Sequence, residues 1–467
     1  MSDYNPVTPL VLAELKTIVG EKFAFSNPEK LEAYARDETP DARYFHLPEA
    51  VVLPKTTEEV SLLVKLANRE HISLIPRGAG TGLACGAIPV KGGIVLSLER
   101  FDQILEVNQK AMYMVVQAGV RTDEVQKAAK AAGLFYAGDP CSGDSCFIGG
   151  NLATNAGGNR AVKYGTTRHQ VYGFDMVTPL GDIVHLGSRL NKNTTGYCLE
   201  QLIMGSEGTL GIITQATLKL KPLPKHVIDL LAVFPDVEQA IAIVNDILRA
   251  GLIPTCIEFM DNSTVRSVER YLKEKLPHSD VGSYVIIQME AENEDDLENK
   301  TVQLDELCSQ AGAIAVLVAD SAKIWNARKM FTEATRSDSL IQSYEDVVVP
   351  VDQIPKASKV ISQLSKKYGL AFGMVSHAGD GNIHLNILKC DLTDEQWDEK
   401  LGAFQDDLYK ITYEIGGRLS GEHGIGYKRK NLMQKFTDPV ELDMMRRIKK
   451  ALDPNLILNP GKIFDVE

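Results

Sequence analysis

Apolar residues along the chain recur first at helical spacing and then in short extended runs. Residues 9–20 have the periodicity of a short amphipathic helix, and 50–54 is an apolar run typical of a strand. Thr56, with Glu59 three residues later, forms a capping box, a frequent start of a helix, and 72–76 is the next predicted strand. The chain is therefore predicted to open with a β-α-β unit whose crossover is right-handed.

Strands and helices continue to alternate through the rest of the chain. Strands are predicted at 93–98, 113–118, 171–179, 228–233, 255–260, 283–289 and 314–318, and helices at 122–133, 237–250, 263–275, 294–311, 396–415 and 439–452. Between 227 and 318, strand and helix repeat regularly. This repetition predicts a mixed sheet with helices on one side.

Two histidines lie on either side of a predicted tight turn late in the chain. Asp380-Gly381 is a dipeptide preferred in two-residue hairpin loops, because a type I′ turn requires positive φ at both positions. With this loop His377 would pair directly with His384, and their Cβ atoms would lie roughly 5 Å apart on one face. This spacing suits two imidazoles that bind one metal ion, although two histidines seven residues apart can also be purely structural.

A glycine-bracketed Glu422-His423 pair follows some forty residues later and could supply a third ligand. His377, His384 and Glu422 together would offer two nitrogens and one carboxylate and would leave coordination positions open. Such a donor set suits zinc, iron(II) or manganese. The Glu-His pair therefore favours a metal site over a structural role for the two histidines.

Composition restricts the class of protein. With 467 residues the chain is long enough for two or three domains, and its 44% hydrophobic and 24% charged residues are normal for a soluble protein. The net charge of -12 argues against nucleic acid or an anionic membrane as a partner. Neither a signal peptide nor an apolar run of about 20 residues is visible, so no membrane span is expected. The cysteines form no Cys-x-x-Cys pair, and a cytoplasmic location is predicted.

The chain contains three glycine-rich stretches, and the first of them directly follows the predicted strand at 72–76. The first, Gly-x-Gly-x-Gly at 78–82, invites a dinucleotide-binding interpretation, but a Rossmann fold requires a helix directly after it. The next predicted element is the strand at 93–98, so a nicotinamide-dependent dehydrogenase is disfavoured. The loop could instead bind phosphate through backbone N–H groups, or simply connect two strands. The other two stretches, 140–159 and 205–214, combine glycine with serine, threonine and asparagine.

Four motifs in this order resemble the FAD-binding domain of the vanillyl-alcohol-oxidase-type flavoproteins. They are Pro-Arg-Gly-Ala-Gly-Thr at 76–81, Ile-Gly-Gly-Asn at 148–151, Asn-Ala-Gly-Gly at 155–158 and Gly-Ser-Glu-Gly-Thr-Leu-Gly-Ile-Ile-Thr at 205–214. The resemblance implies non-covalent FAD, with its pyrophosphate at the first two loops and its adenine end at the last. The implied cofactor-binding residues are Arg77, Gly78, Ala79, Gly80, Thr81, Gly82, Pro140, Ser145, Gly149, Gly150, Asn151, Thr154, Gly157, Gly158, Glu207, Gly208, Ile212, Ile213 and Asn459.

The C-terminal motifs at 377–384, 420–426 and 458–462 resemble the flavin-dependent D-2-hydroxyacid dehydrogenases. That family includes D-lactate dehydrogenases, a glycolate oxidase subunit and D-2-hydroxyglutarate dehydrogenase. The resemblance implies that the two histidines and Glu422 bind the metal and that His423 is the catalytic base.

The same resemblance carries substrate-positioning roles onto Arg328, Thr332 and Asn382. Residues 324–332 are predicted to form a helix on which Arg328 and Thr332, four residues apart, share one face. Arginine suits bidentate binding of a carboxylate, although a surface arginine is the alternative.

The expected fold class is α+β with three segments. Residues 1–224 would form the FAD-binding domain and 225–417 an α+β substrate or cap domain. Residues 418–467 would form a helical C-terminal segment that returns to the flavin and closes the active site.

The implied reaction is metal-assisted formation of the substrate alkoxide, with the proton taken by His423 and a hydride passed to flavin N5. Residues 342–346 contain no lysine of the kind found in relatives that act on dicarboxylates, which favours D-lactate, oxidised to pyruvate. Glycolate and D-2-hydroxyglutarate are the alternative substrates, and a flavin-binding scaffold subunit without activity is the alternative class. An electron-transfer flavoprotein is the implied electron acceptor, and a homo- or hetero-oligomer is compatible with the sequence.

Overall fold

The computed structural model describes residues 4–466, which form two compact units. The first unit contains 4–156, 166–223 and 423–466, and the second contains 157–165 and 224–422. The division at Leu223 lies beside the predicted end of the first domain. The excursion of 157–165 into the second unit has no counterpart in the predicted boundaries, and the last segment of the first unit begins at His423 rather than at 418.

The α-helices are α1 Pro9–Val19, α2 Pro28–Leu31, α3 Thr57–Glu70, α4 Thr122–Ala131, α5 Ile148–Thr154, α6 Ala161–Tyr164, α7 Leu199–Ile203, α8 Val237–Arg249, α9 Asn262–Leu272, α10 Glu294–Gln310, α11 Ser321–Lys329, α12 Phe331–Asp338, α13 Ile354–Tyr368, α14 Asp394–Glu414, α15 Lys430–Phe436 and α16 Pro439–Leu452. Short 3-10 helices lie at Glu21–Phe23, Glu32–Tyr34, Ala42–Tyr44, Thr167–Gln170 and Val351–Gln353.

The strands are β1 Ala24–Phe25, β2 Ala50–Val52, β3 Leu74–Arg77, β4 Ile94–Ser97, β5 Ile104–Asn108, β6 Tyr113–Gln117, β7 Leu134–Phe135, β8 Val171–Val177, β9 Ile183–Gly187, β10 Ile212–Lys219, β11 Lys221–Pro222, β12 His226–Phe234, β13 Cys256–Met260, β14 Ser283–Ala291, β15 Ala315–Val318, β16 Gln342–Val348, β17 Ala371–His377 and β18 Asn382–Leu388. None of the described helices has the length and apolar character needed to cross a membrane.

A small sheet in the order β1-β2-β4-β3 opens the first unit, and its last three strands are parallel. The predicted β-α-β unit is thus confirmed, with α3 as its helix. Thr56 caps α3 by accepting the Glu59 N–H at 3.2 Å, while the Glu59 carboxylate accepts the N–H of Lys55 instead of closing the box. Val60, Leu63 and neighbouring apolar side chains of α3 are fully buried in the core.

A five-stranded antiparallel sheet in the order β5-β6-β10-β8-β9 completes the first unit. Strands β6 and β8 match predicted strands, whereas β10 and the edge strands β5 and β9 were not predicted. Both edge strands are largely exposed, so they lack the apolar pattern on which a prediction depends. The glycine-rich stretch 140–159 also contains an unpredicted short helix, α5.

The second unit is built on a seven-stranded sheet in the order β15-β12-β14-β13-β17-β18-β16. Every neighbouring pair is antiparallel, so the predicted mixed sheet is wrong. The reason is that β14 lies between β12 and β13 and runs antiparallel to both. Alternation of strand and helix along the chain does not reveal such an insertion.

The β17–β18 hairpin has a four-residue loop at 378–381, so the predicted two-residue loop is wrong. His377 pairs with Asn382, and Val375 pairs with His384. Gly381, with φ of 90°, turns so tightly that a Cβ there would lie 2.0 Å from the Val349 carbonyl oxygen. The register differs from the prediction by two residues, which preserves the alternation of faces, so both histidines still lie on one face.

The predicted single helix at 324–332 is also wrong, because α11 ends at Lys329 and α12 begins at Phe331. Met330 between them has ψ of 4°, outside the helical range. Arg328 and Thr332 therefore lie on two different helices. The sequence contains neither glycine nor proline at this point, so nothing in it marks the break.

Candidate functional site

The three predicted metal ligands lie together in the second unit. Nε2 of His377 is 3.3 Å and Nε2 of His384 is 3.1 Å from the same oxygen, Oε1 of Glu422. The two imidazoles are nearly perpendicular, with ring centroids 5.0 Å apart. Potential ligand atoms of all three residues lie within 4.8 Å of one another, a grouping that can hold a metal ion.

Glu258 on β13 holds the first histidine from behind and is completely buried. It pairs directly with His377 across the sheet, and its Oε1 is 2.8 Å from Nδ1 of that histidine. Its other oxygen accepts a hydrogen bond from Nε of Arg328 at 3.0 Å and lies 2.8 Å from Nη2 of the same guanidinium in an ion pair. The predicted substrate-binding arginine is therefore a buried partner of a carboxylate that also holds a predicted metal ligand.

Asp346 on β16 occupies the equivalent place behind the second histidine. It pairs with His384 across the sheet, with Oδ1 3.3 Å from Nδ1. The same oxygen accepts Nδ2 of Asn382 at 2.8 Å, and Oδ2 accepts the Ser420 hydroxyl at 2.5 Å and the Glu422 N–H at 3.1 Å. Asp346 thus orients one histidine and the backbone of the predicted third ligand.

Burial and opposite charge change the pKa values of the cluster in a consistent direction. Burial alone would lower the pKa of His377, but the charges of Glu258 and Glu422 outweigh it and raise this pKa well above its usual value. The pKa of His384 is also raised, because hydrogen bonds to Asp346 and Glu422 outweigh burial. Burial would raise the pKa of Glu422, yet the charge of His377 holds it well below its usual range.

The charge balance of the cluster suits a divalent cation. Three buried or half-buried carboxylates, Glu258, Asp346 and Glu422, face a single guanidinium, that of Arg328, which leaves two negative charges when both histidines are neutral. Burial raises the pKa of nearby Asp380 to about 7, so this carboxyl titrates near neutral pH. The residues present therefore fit a divalent metal held by two neutral imidazoles and one carboxylate.

Gly157 allows the backbone to approach the third ligand closely. A Cβ at this position would lie 2.6 Å from Oε2 of Glu422 and 3.1 Å from its Cβ. The resemblance had implied a role for Gly157 in FAD binding. In the structure it belongs to the second unit with Gly158 and adjoins the predicted metal ligand.

The two other predicted substrate-positioning residues have different surroundings. Asn382 donates to Asp346 and to the Val347 carbonyl oxygen, while its Oδ1 is buried and accepts no hydrogen bond within residues 4–466. Thr332 is half-buried in the first turn of α12, and its carbonyl oxygen accepts the Thr335 hydroxyl. Asn382 is thus a direct neighbour of the cluster, whereas the position of Thr332 is set by helix α12.

The predicted FAD-binding loops of the first unit converge. A Cβ at Gly78 would lie 3.5 Å from Cα of Gly150, so the first two glycine-rich loops touch through their backbones. Gly208 of the third loop packs against Pro76, where a Cβ would lie 2.7 Å from the proline ring. Close approach of three backbones built from glycine suits the binding of an extended phosphate-containing cofactor.

Side chains in these loops form hydrogen bonds with other parts of the protein. Arg77 is buried and donates to the carbonyl oxygens of Arg36 and Ala33, and a Cβ at Gly80 would collide with its guanidinium. Asn151 donates to Thr122 at 2.8 Å. These contacts indicate that Arg77 and Asn151 shape the loops, so that any contact with a cofactor from these segments would come chiefly from backbone groups.

Glu207 connects the third loop with the segment that begins at His423. Its buried carboxylate accepts the N–H groups of Ile425 and Gly426, each at 2.7 Å. Its carbonyl oxygen accepts Nδ2 of Asn459 at 2.8 Å. The predicted base is therefore in a loop that is held by a predicted FAD-binding residue, a connection that the sequence does not show.

The carboxylates behind the two histidines were also missed from the sequence. Glu258 and Asp346 are distant in sequence from the histidine motif, and neither belongs to a recognisable motif. For Glu258, an acidic residue within an otherwise apolar strand was the available signal, since an unpaired charge is costly to bury; the polar sequence of β16 gave no such signal for Asp346.

Comparison with known protein families gives two matches, which together cover most of the chain. The model described as an FAD binding domain matches residues 48–187. The model described as FAD linked oxidases, C-terminal domain, matches residues 223–463.

Several relatives match over nearly their whole length. D-lactate dehydrogenase of Anaerostipes hadrus is 37% identical, covering 98% of each chain. Glycolate oxidase subunit GlcD of Bacillus subtilis (strain 168) is 34% identical, covering 98% of this chain and 97% of the relative. D-2-hydroxyglutarate dehydrogenase of Stutzerimonas stutzeri (strain A1501) is 32% identical, covering 98% of this chain and 99% of the relative.

Solved structures show the same fold. P-cresol methylhydroxylase with substrate bound matches with a TM-score of 0.82 at 17% identity, covering 97% of this chain and 96% of the other. The 4-ethylphenol oxidase from Gulosibacter chungangensis matches with a TM-score of 0.79 at 18% identity, covering 97% of each. The expected α+β fold with a vanillyl-alcohol-oxidase-type FAD-binding domain is confirmed, and the chain belongs to the FAD-linked oxidases, the family of flavin-dependent oxidoreductases that contains these D-lactate dehydrogenase, glycolate oxidase and D-2-hydroxyglutarate dehydrogenase relatives.

Proposed function

We propose that this protein oxidises a small D-2-hydroxyacid, best D-lactate to pyruvate, with FAD as the electron acceptor and a divalent metal at the histidine cluster. The observation that carries the proposal is the convergence of His377 and His384 on one oxygen of Glu422, at 3.3 and 3.1 Å. The 37% identity to a D-lactate dehydrogenase over 98% of the chain supports the choice of substrate.

Different residues of the chain would serve in metal binding and in proton transfer. His377, His384 and Glu422 would hold zinc, iron(II) or manganese. When bound, the metal supplies Lewis acidity that lowers the pKa of the substrate hydroxyl, and FAD supplies a two-electron acceptor. His423 would accept the hydroxyl proton, a task for which imidazole is suited near neutral pH.

Arg328 and Asn382 would orient the substrate. Glu258 engages Nε and Nη2 of Arg328 and does not use Nη1, which could donate to the substrate carboxylate. Asn382 would help to position the substrate from its place beside the cluster, where its amide nitrogen is held by Asp346 and the Val347 carbonyl oxygen. Thr332 is proposed to assist from the first turn of α12.

A small monocarboxylate is favoured over a dicarboxylate. Strand β16 contains no lysine, and Asp346, which faces His384 from this strand, presents a carboxylate. A second substrate carboxylate would find no cation on this strand. Glycolate and D-2-hydroxyglutarate remain the alternative substrates because relatives with those names are 34% and 32% identical.

The path by which electrons leave the FAD is proposed from the family resemblance alone. The chain contains no cysteine cluster for an iron–sulfur centre, so electrons would leave from FAD to a separate acceptor. An electron-transfer flavoprotein is the proposed acceptor, in the cytoplasm. A flavin-binding scaffold subunit without activity is the competing class.

Anaerobic titration of the flavin-loaded protein tests the proposal. D-lactate should bleach the flavin absorbance, L-lactate should not, and glycolate and D-2-hydroxyglutarate should act more weakly. Removal of metal with a chelator should abolish bleaching, and added Zn²⁺, Fe²⁺ or Mn²⁺ should restore it. Unchanged bleaching after verified metal removal would contradict the metal role, and full bleaching by a His423→Ala variant would contradict the assigned base.

A further inference from the structure

Each predicted metal-binding histidine has a buried carboxylate directly opposite it on the neighbouring strand. Glu258 faces His377 from β13, and Asp346 faces His384 from β16, so that the two carboxylates flank the hairpin on its two sides. Both carboxylates approach Nδ1, at 2.8 Å and 3.3 Å. This arrangement leaves Nε2 of both histidines facing Glu422.

The two carboxylates differ in their other partners. Glu258 uses its second oxygen to bind Nε and Nη2 of Arg328, and the side chains of both residues are almost completely buried. Asp346 uses its second oxygen to bind the Ser420 hydroxyl and the Glu422 N–H. Only Glu258 therefore connects a histidine with the arginine.

We propose that Glu258 and Asp346 are positioning residues for the metal site, and that Glu258 also fixes Arg328 relative to that site. The proposal rests on the proposed function, because it assumes that the cluster binds a divalent metal. A carboxylate that accepts the Nδ1 proton places the lone pair on Nε2 and prevents rotation of the ring. Loss of such a partner typically weakens metal binding 10–100-fold.

The connection through Glu258 has a second consequence, for the substrate. A guanidinium whose Nε donates to a buried carboxylate, and whose Nη2 forms an ion pair with the same oxygen, has a defined direction and keeps it as long as the carboxylate is charged. Loss of the charge at Glu258 should therefore disturb both metal binding and binding of the substrate carboxylate. Loss of the charge at Asp346 should disturb chiefly the metal.

Glu258→Gln and Asp346→Asn, both nearly isosteric, test this difference. Glu345→Gln is the matched control, because Glu345 is a buried carboxylate on β16 whose partners are Ser343, Gln405 and Tyr409. Zn²⁺ binding is measured by calorimetry on flavin-loaded, chelator-stripped protein at one pH. The KM and kcat for D-lactate are then measured at saturating Zn²⁺, with flavin content and thermal midpoint as folding checks.

Both site variants should bind Zn²⁺ about 10–100-fold more weakly than the wild type, whereas the control should match it. Glu258→Gln should in addition raise KM about tenfold at saturating Zn²⁺, clearly more than Asp346→Asn does. A folded Glu258→Gln variant with wild-type Zn²⁺ affinity would overturn the inference while leaving the proposed function intact. A wild-type protein that binds no Zn²⁺, Fe²⁺ or Mn²⁺ would instead overturn the metal in the proposed function and the inference with it.

Discussion

At the scale of single residues, the candidate site depends on side chains that serve two neighbours at once. Glu258 holds a histidine and an arginine, and Glu207 holds two backbone N–H groups of the loop that follows His423. Such residues are buried with their charge, which is tolerated only because the surrounding donors are all in place. Substitutions of residues in contact with them should therefore affect the candidate site specifically.

Gly157→Ala tests the close approach to Glu422. The added Cβ would lie 2.6 Å from Oε2 of Glu422 and should displace this ligand. We expect loss of bound Zn²⁺ and of D-lactate-driven flavin reduction, with flavin content preserved. Metal content by mass spectrometry and flavin content by absorbance check this result.

Gly402→Ala in the second unit is the matched control. Gly402 lies in the middle of α14, and a Cβ there meets nothing within 4 Å. Alanine in a helix interior should stabilise the protein by up to about 1 kcal/mol and leave metal and flavin unchanged. If Gly157→Ala instead lost flavin and kept its metal, the role in FAD binding implied by the sequence would be the better assignment.

At the scale of secondary structure, the C-terminal helix α16 is fastened through one buried lysine. Nζ of Lys449 donates to the carbonyl oxygens of Thr209 and Leu458 at 2.7 and 2.8 Å and to Asp453 at 2.5 Å. Burial lowers the pKa of Lys449, and the charge of Asp453 opposes this effect. The lysine thus joins α16 to two other segments of the first unit.

Lys449→Met should destabilise the protein strongly, because it leaves the fully buried Asp453 carboxylate without its cation. Removing one partner of a buried ion pair typically costs about 3–5 kcal/mol. Urea unfolding of flavin-loaded protein measures the loss. The double variant Lys449→Met/Asp453→Asn should recover part of it, and equal stability of the single and double variants would contradict the importance of the ion pair.

Helices and strands differ in how well a sequence pattern can reveal them. Strands such as β12 and helices such as α8 were predicted within a few residues, because both have strong apolar periodicity. The loop of the β17–β18 hairpin and the continuity of the helix at Met330 were predicted wrongly, since neither the loop length nor the break is marked by apolar periodicity. Gly381, for example, lies so close to Val349 that a Cβ would be 2.0 Å from its carbonyl oxygen, a contact that is not visible in the sequence.

At the scale of the whole molecule, buried cations make the stability depend on pH. Burial lowers the pKa of Lys462 to about 7, although the charges of Glu207 and Asp37 favour its protonated form. Between pH 7 and the unfolded-state pKa of about 10.4, the unfolded chain therefore binds one proton more than the folded chain. The free energy of unfolding should rise with pH in this window, by at most about 1.4 kcal/mol per pH unit from this group.

Lys462→Met should therefore reduce the rise in stability between pH 7 and pH 9. The free energy of unfolding is measured by urea titration at pH 7, 8 and 9 with flavin at one fixed concentration. Lys127→Met, at a lysine with 73% side-chain exposure in the same unit, should leave the slope as in the wild type. Equal slopes for all three proteins would show that Lys462 is protonated in the folded state throughout this range.

The sequence by itself determined the family, the glycine-rich loops and the set of residues at the candidate metal site. These features depend on motifs that are local in the chain, such as the one at 377–384. They also depend on the alternation of strand faces, which is preserved although the predicted register was wrong by two residues. Only the tertiary structure revealed that Glu258 and Asp346 hold the two histidines, and that Glu207 binds the backbone of the loop after His423. Their partners come from distant segments: which strands become neighbours in the sheet decides the pairing of Glu258 and Asp346 with the histidines, and which loops meet decides the pairing of Glu207 with backbone N–H groups.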